Sequence, residues 1–262
     1  KISPVLANLL IQRGVNSFEE ARKFFRPSLD DLYDPFLMKD MDLAVDRLKK
    51  AVDSGERILI YGDYDVDGTT SVALVYSFLR EFYPNVDFYL PDRYKEGYGI
   101  SNQGIEFARD NGFKLIIALD CGIKSIEKVA TASSYGIDFI ICDHHRPGES
   151  LPAAVAVLDP KRGDDTYPFK ELSGCGIGFK LIQAYAAKTG MPFDSVRKHI
   201  DLVAISTAAD IVPIVDENRI LSYYGLKQLN LRPRHGVEAI LKLNNMQRMD
   251  YRAPDGTVEN RY

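Results

Sequence analysis

Asp143-His144-His145 places a carboxylate and two imidazoles directly after the apolar run Ile137-Asp138-Phe139-Ile140-Ile141-Cys142. Two other segments have the same form. Arg57-Ile58-Leu59-Ile60-Tyr61 runs into Gly62-Asp63-Tyr64-Asp65-Val66-Asp67-Gly68, and Leu115-Ile116-Ile117-Ala118-Leu119 runs into Asp120. Short aliphatic runs that end in carboxylate or imidazole are the pattern of a site for hard or borderline cations. Two carboxylates about 4 Å apart repel by roughly 4 kcal/mol at an effective dielectric of about 20. Four or five on one edge need cations or arginines, and residues 61–68 and 118–123 contain no arginine. Asp ligands with one or two His suit Mn²⁺, with Mg²⁺ a poorer imidazole partner. Zinc usually brings Cys or more His. Two such cations generate hydroxide and clamp a phosphate, which is the chemistry of phosphoester hydrolysis.

The elements that must hold these residues follow from the apolar pattern. Strands are expected near 57–61, 86–90, 115–119, 137–142 and 154–158, with helices between them near 69–82, 102–111 and 124–135. This alternation predicts an α/β fold with a five-stranded, mainly parallel sheet flanked by helices. Such sheets bind ligands at the carboxyl ends of their strands, where every acidic motif falls. Asp63, Asp65 and Asp67 alternate beyond the first strand and are expected to share a side. Thr69 or Thr70 is expected to cap the helix that follows. An EF-hand is excluded, because its twelfth position, counted from Asp63, is Leu74 rather than Glu. The adjacent His144 and His145 are expected to point apart, one toward metal and one toward substrate.

Residues 1–55 read as a helical arm, with a capping box from Ser17 to Glu20 opening Phe18 to Phe25 and a second helix from Asp42. After Pro168 helices are expected near 176–189, 195–209, 222–231 and 236–244. The Gly-rich stretch Ser173 to Gly178 opens the first. Residues 246–262 are polar and aperiodic and read as a loop that begins a linker.

The chain has 262 residues, 45% of them hydrophobic, and a net charge of −4. That is enough for a real core, and the global charge gives no sign of nucleic acid, although two bound divalent cations would change the balance. Cys121, Cys142 and Cys175 form no CxxC pair and fit a reducing compartment. No apolar run reaches a membrane span and no signal-peptide pattern opens the chain, so a cytoplasmic location is expected. His199 and His235 neighbour no carboxylate cluster and read as structural.

At these residues the chain resembles the DHH phosphoesterase family, and within it the exonucleases specific for single-stranded DNA. The likeness runs through Ser3 to Ala7, Phe36 to Leu48, Tyr61 to Gly68, Pro91 to Gly99, Leu119 to Ile123, Asp143-His144-His145, Tyr167 to Gly174 and Ala209 to Pro213. It implies a metal-dependent phosphodiesterase that digests single-stranded DNA from the 5′ end in repair and recombination, with two divalent cations, Mn²⁺ or Mg²⁺. It implies that Asp65 and Asp67 each ligate one metal and that Asp120 bridges the pair. His144 and Asp210 complete the second metal. Asp63 is a near ligand or supports one and counts with Asp120 and His145 as catalytic, Asp143 orients the cluster, and His145 contacts phosphate or assists the leaving group. Arg93, Lys95, Arg146, Lys161, Arg162 and Lys180, with Gly174 and Gly176, are candidate substrate contacts. The resemblance also shows a departure: many DHH proteins carry His where Tyr61 stands, a metal ligand in some subfamilies, so the first metal is expected to have fewer protein ligands here. The family's Gly-Gly-Gly-His motif and an oligonucleotide-binding fold are not found before Tyr262. The chain is therefore expected to hold a DHH catalytic domain over 56–245 (a sheet part to 160, a helical part from 161), with the substrate clamp elsewhere in a longer monomer. A single-strand-binding protein and a helicase are the expected partners. A small-substrate or oligonucleotide phosphoesterase and a non-catalytic replication scaffold are the alternatives.

Overall fold

The computed structural model describes residues 2–253 and 256–262. Two helices come first, α1 (Pro4–Ile11) and α2 (Phe18–Phe25), followed by α3 (Met41–Asp53). The Ser17–Glu20 capping box is present at α2. Strand β1 (Arg57–Gly62), α4 (Val66–Arg80), β2 (Val86–Tyr89), α5 (Asn102–Asp110), β3 (Phe113–Leu119), α6 (Ile126–Ser134), β4 (Asp138–Cys142) and β5 (Ala156–Leu158) then alternate. The strands form one parallel sheet in the order β2-β1-β3-β4-β5. Chain direction across the sheet reverses beside β1 and β3, so a crevice opens at their carboxyl ends. Asp63 to Asp67 leave β1 there and Asp120 leaves β3 there.

Strands β1, β3, β4 and β5 are nearly continuous apolar runs because both their faces are covered. Side chains alternate between the faces. Ile58, Ile60, Leu115, Ile117, Leu119, Ile140 and Cys142 join the core formed with α3 and α4 and with α7 (Gly174–Thr189). Leu59, Tyr61, Ile116, Ala118, Phe139 and Ile141 join the core under α5 and α6. Helix α3 thus belongs to the core: Met41, Ala44, Val45, Leu48 and Ala51 are all buried.

The helical half holds α7, the short α8 (Asp194–Arg197), α9 (Ile200–Ala209), α10 (Asp216–Leu231) and α11 (His235–Leu243). The helix expected over 195–209 is broken at Lys198 and His199. Helix α10 starts well before residue 222, because Glu217 and Asn218 are buried polar residues that interrupt the apolar pattern. The loop expected over 246–262 is corrected. Strands β6 (Met249–Arg252) and β7 (Val258–Arg261) pair antiparallel there, and their exposed faces hide the strand pattern. No helix among the described residues is long and apolar enough to cross a membrane.

Candidate metal centre

Asp120 is the first residue past β3 and stands in the left-handed region at φ 60°. Non-glycine residues rarely occupy this region, and when they do the surroundings fix them there. Here the Asp120 N–H donates to Cys142 O at 2.8 Å, and the side chain is buried. Neither carboxylate oxygen has a hydrogen-bond partner. His144 Nε2 lies 3.2 Å from Asp120 Oδ1. The same His144 Nε2 lies 3.7 Å from Asp67 and 3.6 Å from Asp210. Burial, followed by the charges of Asp67 and Asp65, pushes the Asp120 carboxyl up to about 10.

Asp67 lies in the first turn of α4, buried, and is held from three sides. Gly174 N–H donates to it at 2.7 Å, Cys175 N–H at 2.8 Å and the Ser206 hydroxyl at 2.7 Å. Burial still raises its carboxyl above the ordinary range. The start of α7 therefore faces a carboxylate of the chain itself. Asp210 ends α9 and is half-buried, with Oδ2 unpartnered. Two clusters result, Asp67–His144–Asp210 and Asp120–His144–His145, each with its ligand atoms within 4.8 Å of one another.

Asp63 and Asp65 stand outside both clusters. Asp63 accepts from Tyr64 N–H at 2.7 Å and from Gly99 N–H at 2.8 Å. Asp65 is exposed and caps α4 by accepting from Gly68 N–H at 2.9 Å. This corrects two expectations. Asp63, Asp65 and Asp67 do not share one side of an extended segment, because the helix already begins at Val66. Thr69 and Thr70 lie inside that helix, where their hydroxyls donate back to Asp65 O and Val66 O.

The histidines are also closer than expected. Strand β4 ends at Cys142, so both rings lie beyond it, with centroids 4.7 Å apart. Asp143, fully buried, accepts from Ile123 N–H, His144 N–H and His145 N–H, and pairs with His145 Nδ1 at 2.7 Å. Burial opposes ionisation of Asp143, but its bond with His145 and these backbone donors outweigh it and hold the carboxyl below its ordinary value. The Asp143 bond raises His145 in turn. Asp143 thus fixes both the chain and the imidazole that is 43% open to solvent.

The candidate substrate contacts separate by burial. Lys180 is fully buried and ion-paired with Glu217, and donates to Tyr33 O at 2.9 Å, so its expected phosphate contact is corrected. Arg162 is buried on Asp40, Asp164 and the Val157 carbonyl and is structural as well. Gly174 and Gly176 are buried at the start of α7. Gly174 packs on Asp120, and Gly176 N–H donates to the Ser173 cap, so neither faces a ligand. Lys161 pairs with Glu171 at 3.2 Å and, with Arg146, lines a cleft of about 640 Å³. Arg93 lies 5.3 Å over the Tyr64 ring, and Lys95 and Arg146 are exposed.

Sequence reasoning missed Ser206, Tyr98 and Asp159. Tyr98 meets His145 edge to face at 6.3 Å and Tyr64 at 5.8 Å. Asp159 follows β5 as the other acidic residues follow β1 and β3, a signal that was available. It is fully buried, and burial pushes its carboxyl up to about 7.

The sequence model of the DHH family, N-terminal domain, matches residues 57–207, which contain Asp63, Asp65, Asp67, Asp120, Asp143, His144 and His145 but not Asp210. The chain belongs to the DHH family. Among DHH proteins it is 44% identical to the single-stranded-DNA-specific exonuclease RecJ of Bacillus subtilis (strain 168), over 93% of this chain and 30% of that protein. It is 34% identical to RecJ of Escherichia coli (strain K12), over 97% of this chain and 45% of that protein. The chain therefore spans less than half the length of these relatives. A crystal structure of exonuclease RecJ bound to manganese superimposes with a TM-score of 0.73 at 29% identity, covering 82% of this chain and 54% of that one. RecJ from Thermus thermophilus in complex with Mn²⁺ gives 0.74 at 25% identity, covering 89% and 32%.

Proposed function

We propose that this chain is the catalytic part of a two-metal phosphodiesterase that hydrolyses single-stranded DNA from its 5′ end, in DNA repair and recombination. The observation that carries the reading is Asp120, buried beside His144 with both carboxylate oxygens unpartnered. Buried lone pairs of this kind are costly unless matched by a donor or a cation. Asp210 Oδ2 is unpartnered in the same way. A donor set of carboxylates with imidazole, and no Cys, fits Mn²⁺ or Mg²⁺. The RecJ structures with manganese support the same choice.

Cations held here would neutralise phosphate charge and supply a water that ionises near neutral pH. Asp67, His144 and Asp210 would hold one cation and Asp65 the other, with Asp120 available to both. Asp63 would support the site through its bond to Gly99. His145, anchored through Nδ1 by Asp143, presents Nε2 to a phosphate oxygen or the leaving group. Arg93, Lys95, Arg146 and Lys161 are assigned to the phosphates of the strand. The digestion polarity, a single-strand-binding protein and a helicase as partners, a monomeric state and the 56–245 catalytic domain rest on resemblance, the cytoplasmic location rests on the sequence pattern, and all belong to the same proposal.

Asp120→Ala in the intact protein tests the reading. Mn²⁺-dependent release of nucleotides from a 3′-labelled single strand falls by at least about 10²-fold, as when a preorganised charge-stabilising group is removed. The metal-free melting temperature holds or rises, because a buried carboxyl whose oxygens have no hydrogen-bond partner is gone. Near-normal hydrolysis would contradict the assignment.

A further inference from the structure

Tyr61, at the end of β1, does not face the metal centre. It leaves β1 on the α5–α6 side of the sheet, fully buried, and its ring stacks on Tyr89 at 5.4 Å. Its hydroxyl donates to Gly99 O at 3.0 Å and accepts from Ser101 N–H at 3.0 Å. The other polar group of Gly99, its N–H, donates to Asp63 Oδ2. Both backbone groups of one glycine are therefore held by side chains from the end of β1.

Gly99 closes the segment that follows β2. Gly97 and Gly99 both lie at positive φ, 79° and 84°, on either side of Tyr98. Two such residues let the chain turn sharply and leave Tyr98 free to swing unless the turn is fixed. A second tie fixes it from within. Glu96 accepts from Asp92 N–H at 2.8 Å, from the Tyr89 hydroxyl at 2.8 Å and from the Ser101 hydroxyl. Ser101 also caps α5 by accepting from Gly104 N–H. So held, Tyr98 keeps about half its surface open and lies against His145.

We propose that Tyr61 is a positioning residue: its hydroxyl, with Asp63 and Glu96, clamps the 91–99 segment so that Tyr98 and Arg93 form a fixed wall of the metal site beside His145. The catalytic part of this inference rests on the proposed nuclease reading. The clamp itself does not.

Tyr61→Phe is the test, since it keeps the ring that packs on Tyr89 and removes only the hydroxyl. Amide hydrogen exchange of peptides covering 92–101 speeds up at least 5-fold, while peptides from β3 and β4 are unchanged. Mn²⁺ affinity, read by calorimetry, stays within 2-fold. In Mn²⁺-dependent hydrolysis of a 3′-labelled single strand, KM rises at least 5-fold and kcat changes less than 2-fold. Glu96→Ala, which removes the second tie, gives the same pattern and keeps the question open to decision if the first variant folds poorly. Unchanged exchange in 92–101 overturns the clamp. Loosened exchange with unaltered KM overturns its role in substrate positioning, and a loss of Mn²⁺ affinity places Tyr61 at the metal instead. If the wild-type protein hydrolyses no single strand, the nuclease reading fails, and the exchange result alone decides the clamp.

Discussion

Gly174 and Asp120 approach so closely that a methyl group on Gly174 would lie 2.6 Å from the Asp120 Cβ. It would also lie 2.9 Å from the Asp120 Cα. No side chain fits between α7 and the strand end that carries the central carboxylate. The same turn of α7 donates two N–H bonds to Asp67. The glycine is therefore needed for approach, so that one helix start can hold Asp67 and stay in contact with Asp120.

Gly174→Ala must push Asp120 or α7 aside. Overpacking of this kind costs about 1–3 kcal/mol. The expected outcome is a lower melting temperature together with weaker Mn²⁺ binding by calorimetry. Wild-type Mn²⁺ affinity in a folded variant would show that Asp120 needs no such close support.

Lys180 predicts the reverse of a substrate contact. Its buried pair with Glu217 also gathers the Tyr167 hydroxyl, at 2.6 Å, and Tyr33 N–H, at 3.0 Å. Lys180→Met leaves Glu217 buried without its cation, at a cost of about 3–5 kcal/mol. Urea unfolding reads that loss. At temperatures where the variant is folded, the salt dependence of single-strand binding is unchanged, whereas Arg146→Ala lowers the slope by about 0.7 for a lost phosphate contact. A reduced slope in the Lys180 variant would return that lysine to the substrate path.

His199 sets an acid limit on stability. It is buried against Phe78, with ring centroids 6.3 Å apart, and both ring nitrogens lack hydrogen-bond partners. Burial first, then the charge of Arg234, lowers it from 6.5 to about 4, while Glu81 and Asp201 oppose the shift. The unfolded chain therefore binds the proton more tightly between those two values. Stability contributed by the neutral ring is complete above pH 6.5 and is lost as pH falls toward 4. At about 1.4 kcal/mol per unit, the loss from pH 6.5 to 5 is about 2 kcal/mol. Denaturant titrations at both pH values check this. In His199→Phe the pH dependence is smaller by that amount, and an equal dependence in both proteins would show that His199 is protonated in the fold.

The sheet and its acidic edge were legible because buried parallel strands are written as unbroken apolar runs, and the residue after each run must lie at the edge. The end of β3 gave Asp120 this way, and the end of β4 gave the DHH residues. Asp210 carries no such mark. It ends a helix in the other half of the chain, and only the packing of α9 against α4 brings it to His144. The support of Asp67 by Gly174, Cys175 and Ser206 was hidden for the same reason. Lys180 was misread because nearness to a glycine-rich turn in sequence does not say which side of α7 a residue faces. Asp63 was expected near the metals from its acidic neighbours on the chain, but its partner in space, the Gly99 N–H, is remote in sequence and was not legible there.

If Asp120 serves two cations between His144 and the β1 carboxylates, as proposed, anomalous scattering at the manganese edge from Mn²⁺-soaked crystals shows two peaks. Both lie within bonding distance of the Asp120 carboxylate, and one is also bonded to Asp67, His144 and Asp210. A single peak, or peaks that leave Asp120 unbonded, would contradict the proposal.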